Sequence, residues 1–522
     1  MIFVTRKKIG IIIDSYQLSS WKISSLTQIL QNPNLELGGI LYFPKVQSQS
    51  ISIQERILFK IESKRKISGK SAIDKMDLDK FLKNHSEIPI KEFLGFNSEE
   101  KIKIKNFIDE LELDLLIYFG EQDSFRFTDF EPEIWYFSFA PDYISTLQFI
   151  GAKSTYSKNL SIHSVLYSIS KFGFFKIFDI YSPTDSLSVK RMSNNHFWTC
   201  YSRLLKALQN YSLCSVDDFH QRLKKINQDE KTKKIKLNFS KIFISLFKKK
   251  YLNDSKSSNE QWSLLYSLEK KLSFDFKNFK VLSPTQDRFW ADPFVIYQDG
   301  RYFVFFEEFM YDKKKGHISF VEMDVNGCYS KPKKILEKSY HLSYPHIFKY
   351  DSSIFMIPDS VENKSVDLYK CEDFPNKWKF VKTLLHGEFI DSDILFHNEK
   401  CWIISGEKSE NLPYVDTAII HYSGSLFDDF TPHFKNPVIS NYNWARNAGK
   451  IFAMDNKLIH PTQSYSRGYG SGINLNEITQ LSASEFTIKE IKKLEPDWDN
   501  SYSGMHTINH SEGLTIIDVK KA

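Results

Sequence analysis

Asp292 ends the run Trp290-Ala291-Asp292, just before Pro293, and acids, imidazoles and a guanidinium recur downstream at comparable places. Glu307 and Glu308 follow as a pair. Next come Tyr344, Pro345 and His346, then Asp359. Asp391, Asp393 and Glu407 form a third group, Arg446 stands in WARNAG, Gln463 in HPTQSYSRGYG, and His506 in GMHT. Carboxylates gathered at one point are what glycosidic chemistry needs. One protonates or holds a leaving oxygen, and another stabilises an oxocarbenium-like centre or activates a nucleophile. A planar guanidinium such as that of Arg446 binds an anionic or polyhydroxylated group, and nearby aromatic faces suit sugar rings. Taken singly, an Asp or Glu after a strand serves equally well as a turn residue or an edge hydrogen-bond partner. Taken together, Asp292, His346 and Arg446 favour a shared site, with Trp290, Asp359, Gln463 and His506 as further substrate-binding candidates.

Such residues converge only if the elements carrying them surround one axis. From Gln261 onward the sequence is made of short aromatic strands broken by Gly, Asp, Asn and Pro. FVIYQDGRYFVFFEE, IFKYDSSIFMIPDS, ILFHNEKCWIISGE and IFAMDNKLIHPTQS each read as two strands across a tight polar turn. They recur about every 45 to 60 residues, a spacing expected of propeller blades. The fold expected for 261–522 is therefore an all-β five-bladed propeller. Arg446 is read as belonging to a fourth repeat and Gln463 to a fifth, with His506 closing the ring.

The N-terminal 211 residues read differently. Ile9 to Asp14 is a buried strand, Trp21 to Leu30 repeats its apolar residues at helical spacing, and Leu37 to Phe43 returns to strand. This β-α-β start implies a parallel, helix-covered sheet. Helix is expected at Ile102–Leu111 and His196–Leu208, and strand at Leu115–Phe119 and Ile134–Phe139. Between the two domains, 212–260 is a basic linker. Within it Phe239, Ile242, Phe243, Leu246 and Phe247 mark an amphipathic helix beside Lys248 to Lys250. A helix docked on either domain is the plainer reading. Peripheral contact of 231–251 with an anionic membrane is the alternative.

At 522 residues, with 41% hydrophobic and 15% aromatic content, the chain has material for two cores. Its net charge of +6 is small for this length and crowds between Arg222 and Lys250, so nucleic acid is not an expected partner. Cys200, Cys214, Cys328, Cys371 and Cys401 are odd in number and lack C-x-x-C spacing, which points to a reducing compartment and away from a zinc site. No G-x-G-x-x-G or P-loop pattern occurs, and no cofactor or metal is expected. The apolar runs are too short to span a membrane and the first residues lack a cleavage site, so a cytoplasmic setting, at most peripheral to the inner membrane, is expected.

The ordered segments DRFWADPF, FFEE, SYPHIF, MIPDS, LYKCEDFPNKW, NPVISNYNWARNAG, HPTQSYSRGYG and GMHT resemble the propeller-type N-terminal region of plant glucosamine inositolphosphorylceramide transferases, found also in bacterial surface-glycan proteins. More distantly they resemble five-bladed glycoside hydrolases of the family 43 and 32 type. The resemblance implies a catalytic role for Asp292 in the D-P element. It leaves the acid open among Glu308, Asp393 and Glu407, of which Glu308 and Asp393 are taken as the catalytic candidates. Asp359 stands where the pattern has Glu, and His460 where it has Arg. More weakly, residues 1–211 resemble the Rossmann-like formyltransferase fold, in which an Asn and a His follow the strand matching IWYFSF. Phe137 and Ser138 stand near those positions, so the base is missing, and His163 comes too late to replace it.

These resemblances imply a carbohydrate-active protein of bacterial surface-glycan biosynthesis. It would transfer a glycosyl group in the propeller funnel, with a sugar or nucleotide-sugar as substrate. The alternatives are a non-catalytic glycan-binding propeller on a degenerate formyltransferase scaffold, glycoside hydrolysis, and formyl transfer.

Overall fold

The computed structural model of the chain describes residues 6–44, 60–95, 97–120, 132–139, 161–185, 188–225 and 260–522, with Arg56 and Ile150. The basic segment 231–251 and residues 140–142 lie outside them. The chain divides into two compact units, Met1–Asp254 with Glu410–Pro413, and Ser255–Ser409 with Tyr414–Ala522.

The first unit is built on a mixed sheet of eight strands. These are β1 (Lys7–Ile13), β2 (Leu35–Tyr42), β3 (Ile90–Glu92), β4 (Leu115–Tyr118), β5 (Glu133–Ser138), β6 (Ser161–Ser170), β7 (Gly173–Pro183) and β8 (Lys224–Lys225). Their order is β8-β7-β6-β5-β4-β1-β2-β3. Strands β3, β2, β1, β4 and β5 run parallel, while β6, β7 and β8 add an antiparallel extension. Burial of both faces explains why β1 and β4 are nearly continuous Ile and Leu.

Helix α1 (Ser20–Gln31) buries Trp21, Ile23, Leu26 and Ile29. Helix α2 (Ser98–Leu111) starts where the Asn97 side chain accepts the Glu100 N–H at 2.8 Å, with Glu99 and Glu100 favoured by the helix dipole. Helix α3 (Val189–Ser212) is longer at both ends than its apolar spacing alone suggests. The unit also runs past Tyr211: Phe219 stacks on Trp135 at 5.5 Å, and β8 pairs with β7. What reads as the start of a linker is therefore sheet and core.

The second unit is a five-bladed β-propeller made of five antiparallel sheets. Blade one has inner strands Arg288–Gln298 and Arg301–Met310, blade two Ser343–Tyr350 and Ser353–Asp359, and blade three Phe389–His397 and Lys400–Glu407. Blade four contains Lys457–Ser464 and Gly472–Leu481. Blade five is composite. Trp262–Ser267, from the start of the unit, pairs along its whole length with Leu514–Lys521 at the end of the chain, and Ile508–Ser511 lines the inside. This pairing closes the ring. Arg446 and Gln463 therefore share blade four, where Gln463 N–H donates to Arg446 O at 2.8 Å, rather than marking two repeats.

Candidate active site

Three successive blades carry the same irregularity in their innermost strand. The ladder shifts between Ala291 and Phe294, between Ser343 and His346, and between Ile390 and Asp393. At each shift one residue takes a left-handed backbone: Asp292 (φ 51°), Tyr344 (φ 43°) and Asp391 (φ 49°). Such a conformation costs about 1 kcal/mol or more for a residue with a Cβ and is found where surrounding structure enforces it. Here each bulge N–H is held by a carboxylate from the preceding blade. Asp292 N donates to Asp518 Oδ2 at 3.0 Å, Tyr344 N to Asp292 Oδ2 at 3.3 Å, and Asp391 N to Asp359 Oδ2 at 2.8 Å. A bulge re-aims its side chain: Asp292 and Asp391 both come under the charge of Arg446, while Tyr344 packs into the core against Phe294.

Asp391 is fully buried, and its Oδ2 accepts from Arg446 Nε at 2.5 Å and Gln463 Nε2 at 2.9 Å. Its Oδ1 has no partner among the described residues. Asp292 Oδ1 accepts from Thr507 Oγ1 at 2.9 Å. Burial drives the Asp391 carboxyl up to about 7 despite Arg446, with the charges of Asp292 and Asp359 adding to the rise. Burial also raises Asp292, against the pull of His506 and Arg446. Glu307 is held well above the carboxylate range by burial first and then by the charges of Asp292 and Asp391. Three carboxyls thus face one guanidinium and cannot all ionise near neutral pH. The Arg446 side chain stays a quarter exposed and lies 5.1 Å over the Tyr469 ring, which is itself 37% exposed. Tyr469 therefore joins the site at its open side, and the buried Glu307 joins it through the charges of Asp292, Asp391 and Arg446.

His506 stacks on Trp262 at 4.2 Å, and its Nδ1 lies 2.5 Å from Asp518 Oδ2 and 3.8 Å from Asp292 Oδ1. Asp518 also accepts the backbone N–H groups of His506 and Thr507 at 2.8 and 2.9 Å. Asp292, His506 and Asp518 have ligand-type spacing for a metal ion. The 2.5 Å contact, however, requires a proton between its two atoms, in keeping with a His506 that burial lowers but Asp518 and Asp292 raise overall.

The structure brings Asp292, Arg446, Gln463 and His506 together and sends other candidates elsewhere. Glu308 faces away from the axis, because neighbours on a strand point to opposite sides. It accepts from Arg288, Trp290 Nε1, His317 and Ser319. Burial pushes it up, but these donors hold it down to about 2, so it is an ionised structural anchor rather than an acid. Trp290 shares that face and packs with Leu264, Val304, Phe306 and Leu514. Asp393 and His346 are fully buried and pair with each other at 2.7 Å, with Tyr344 OH donating to Asp393 at 3.1 Å. They brace the second and third bulges. Asp359 likewise braces Asp391. Sequence reasoning missed Tyr469 and Asp518 and preferred the neighbours of Glu307 and Asp391.

In the first unit the crevice where the parallel strand order reverses, outside the carboxyl ends of β1 and β4, is the usual ligand site of such sheets. Here the N–H groups of Ser20 and Trp21, which open α1, donate to Asp74 O at 2.8 Å and Ala72 O at 3.2 Å. Trp21 packs against Phe119, Phe137 and Phe197 at 5.5 to 5.8 Å, and Phe139 packs against Phe137 and Phe197. The Lys22 ammonium donates to Phe119 O at 2.5 Å. His163 sits on the surface, 2.9 Å from Asp179.

Residues 281–511 match the family described as glucosamine inositolphosphorylceramide transferase 1, N-terminal. The Arabidopsis thaliana glucosamine inositolphosphorylceramide transferase 1 is 31% identical over 207 residues, 39% of this chain and 27% of that protein. Its counterpart from Oryza sativa subsp. indica is 29% identical over 222 residues, 40% of this chain and 30% of that one. The chain thus spans under a third of these relatives. Among solved structures, the catalytic domain of a Coprinopsis cinerea GH62 α-L-arabinofuranosidase aligns over 50% of this chain and 97% of its own, at 12% identity and a TM-score of 0.34. The Bacteroides ovatus xyloglucan PUL protein GH43B aligns over 46% and 54%, at 14% identity and a TM-score of 0.35. By sequence, then, the propeller of this chain is similar, over residues 281–511, to the N-terminal region of the glucosamine inositolphosphorylceramide transferases.

Proposed function

We propose that this protein transfers a glycosyl group, with the sugar seated at the inner bulges of the propeller. The observation that supports this reading is the convergence of Asp292, Glu307 and Asp391 on Arg446, in a domain whose sequence relatives are named as transferases. Environments that hold neighbouring carboxyls in different protonation states divide acid from base roles. Glu307, kept neutral, protonates the departing oxygen. Asp391, bound to Arg446 and Gln463, supplies negative charge to the anomeric centre, and Asp292 orients or activates the acceptor. The Arg446 Nη groups donate to no acceptor among the described residues and serve a ligand's oxygens, while Tyr469 offers a ring face. A role in bacterial surface-glycan assembly, in a cytoplasmic setting where activated donors are at hand, completes the proposal. Its support is the sequence resemblance.

The test is to incubate the purified protein with a panel of nucleotide sugars and oligosaccharides and to read the products by mass spectrometry. Transfer from a nucleotide sugar, lost in Asp292→Asn, supports the proposal. Release of free sugar from an oligosaccharide alone makes the protein a hydrolase, and binding without turnover makes it a glycan-recognition module. Formyl transfer is disfavoured by the aromatic filling of the β1/β4 crevice, and binding of a formyl-tetrahydrofolate analogue would revive it.

A further inference from the structure

We propose that His341 is the positioning residue for the acid of this site, holding the Glu307 carboxyl in place and donating a hydrogen bond to it once it has lost its proton. The inference rests on the reading of Glu307 as the acid of a glycosyl-transferring site.

His341 lies between the first two blades with its side chain 27% exposed, and its Nε2 stands 3.4 Å from Glu307 Oε1. Its other ring nitrogen is committed: Gly316 N–H donates to Nδ1 at 2.9 Å. An Nδ1 that accepts leaves the proton of the neutral ring on Nε2, so that the N–H faces Glu307. Two more contacts hold the residue. The His341 backbone N–H donates to Glu362 Oε2 at 2.9 Å, and the Phe309 ring lies 5.9 Å from the imidazole. The position of Gly316 fits the same purpose. A Cβ there would lie 2.8 Å from both Glu307 Oε1 and His341 Cε1, and 2.7 Å from Leu342 O, so any side chain would press on the pair. Burial lowers the affinity of His341 for a second proton, partly offset by Asp359, Glu362 and Asp292, while Arg446 adds to the lowering. The groups facing Glu307 are Asp292, Asp391, Asp359, Arg446 and Tyr469. Apart from Arg446, every charged group among them disfavours a carboxylate at Glu307, so a donor from His341 meets a specific need.

In the step this serves, the Glu307 proton passes to the glycosidic oxygen as the bond from that oxygen to the anomeric carbon breaks and the bonding electron pair stays on the oxygen. The acceptor hydroxyl bonds to the anomeric carbon and gives its proton to Asp292. Glu307 is left as a carboxylate facing His341 Nε2–H until a proton returns from solvent.

The test needs no substrate. Infrared difference spectra of wild-type protein against Glu307→Gln isolate the C=O stretch of neutral Glu307, and its loss is followed as pH rises. Without the His341 donor the ionised form is less stable, so His341→Ala moves the midpoint upward, by about one pH unit for a lost hydrogen bond to a charge. His341→Gln, which keeps an N–H of similar reach, restores a midpoint near wild type, and melting curves confirm that all variants are folded. An unchanged midpoint in His341→Ala, or equal shifts in both His341 variants, overturns the inference and leaves the sugar reading standing. Absence of any band sensitive to Glu307→Gln removes the acid itself, and with it both the inference and that part of the proposed function.

Discussion

At the carboxyl ends of β1, β4 and β5 the chain has spent its polar groups on itself, whereas on the propeller axis it leaves them in tension. The amides that open α1 are taken by Asp74 O and Ala72 O, and three phenylalanine rings pack on Trp21. At the inner bulges, three carboxyls share one guanidinium, and one oxygen of Asp391 has no partner among the described residues. A folded chain that only needed stability would not keep acids so placed, since burying a charge without full pairing is costly. On the proposed function, the contrast gives scaffolding to the first crevice and chemistry to the second.

The comparison is broken or sharpened most strongly at Asp292. Asp292→Asn keeps the acceptor for Tyr344 N–H and is expected to lower turnover by about a thousandfold with sugar binding retained. A loss below tenfold in steady-state assays would demote Asp292 to a structural residue. Arg446→Met removes the cation facing Asp391, and is expected to cost about 3 kcal/mol in denaturant unfolding, toward the lower end for a broken buried pair. No measurable loss would mean that Asp391 is neutral throughout.

The pH dependence has a definite sign. The Asp391 carboxyl titrates at about 7 in the folded protein, above its unfolded value, so the native state holds the proton more tightly. Stability from this group is present at low pH and falls as pH rises toward and through 7. Between pH 5 and 7 the wild type is expected to lose about 2 kcal/mol more than Asp391→Asn in parallel urea titrations. Equal slopes would contradict the raised value. The smallest effect belongs to the first crevice. Lys22→Met, which removes the hydrogen bond to Phe119 O, is expected to cost about 1 kcal/mol and to leave sugar handling untouched.

Much of the architecture was legible because strand pairs with polar turns announce themselves locally. Four hairpins could be read directly, and the parallel core of the first unit followed from apolar strands alternating with a helical period. The fifth blade could not be read so, since Trp262–Ser267 and Leu514–Lys521 come from opposite ends of the unit and no local pattern links them. The site was legible in its residue types and less so in its facing. Glu307 opposes Ala291 while Glu308 opposes Trp290. Recognising Trp290 as a core residue would have sent Glu308 to the core side with it. Asp391 and Asp393 would share a face in a regular strand, but the register shift between Ile390 and Asp393 separates them. Bulges of this kind depend on partners in the preceding blade, here Asp359 and Asp518, and leave no mark in nearby sequence.

The most direct test is saturation-transfer NMR on the full-length protein, using the nucleotide-sugar panel with wild type, Arg446→Met and Lys22→Met in parallel. Sugar-ring signals that receive magnetisation in wild type and Lys22→Met but vanish in Arg446→Met are the predicted result. Signals that survive in Arg446→Met and disappear in Lys22→Met would place the sugar in the α/β unit and contradict the assignment of chemistry to the propeller axis.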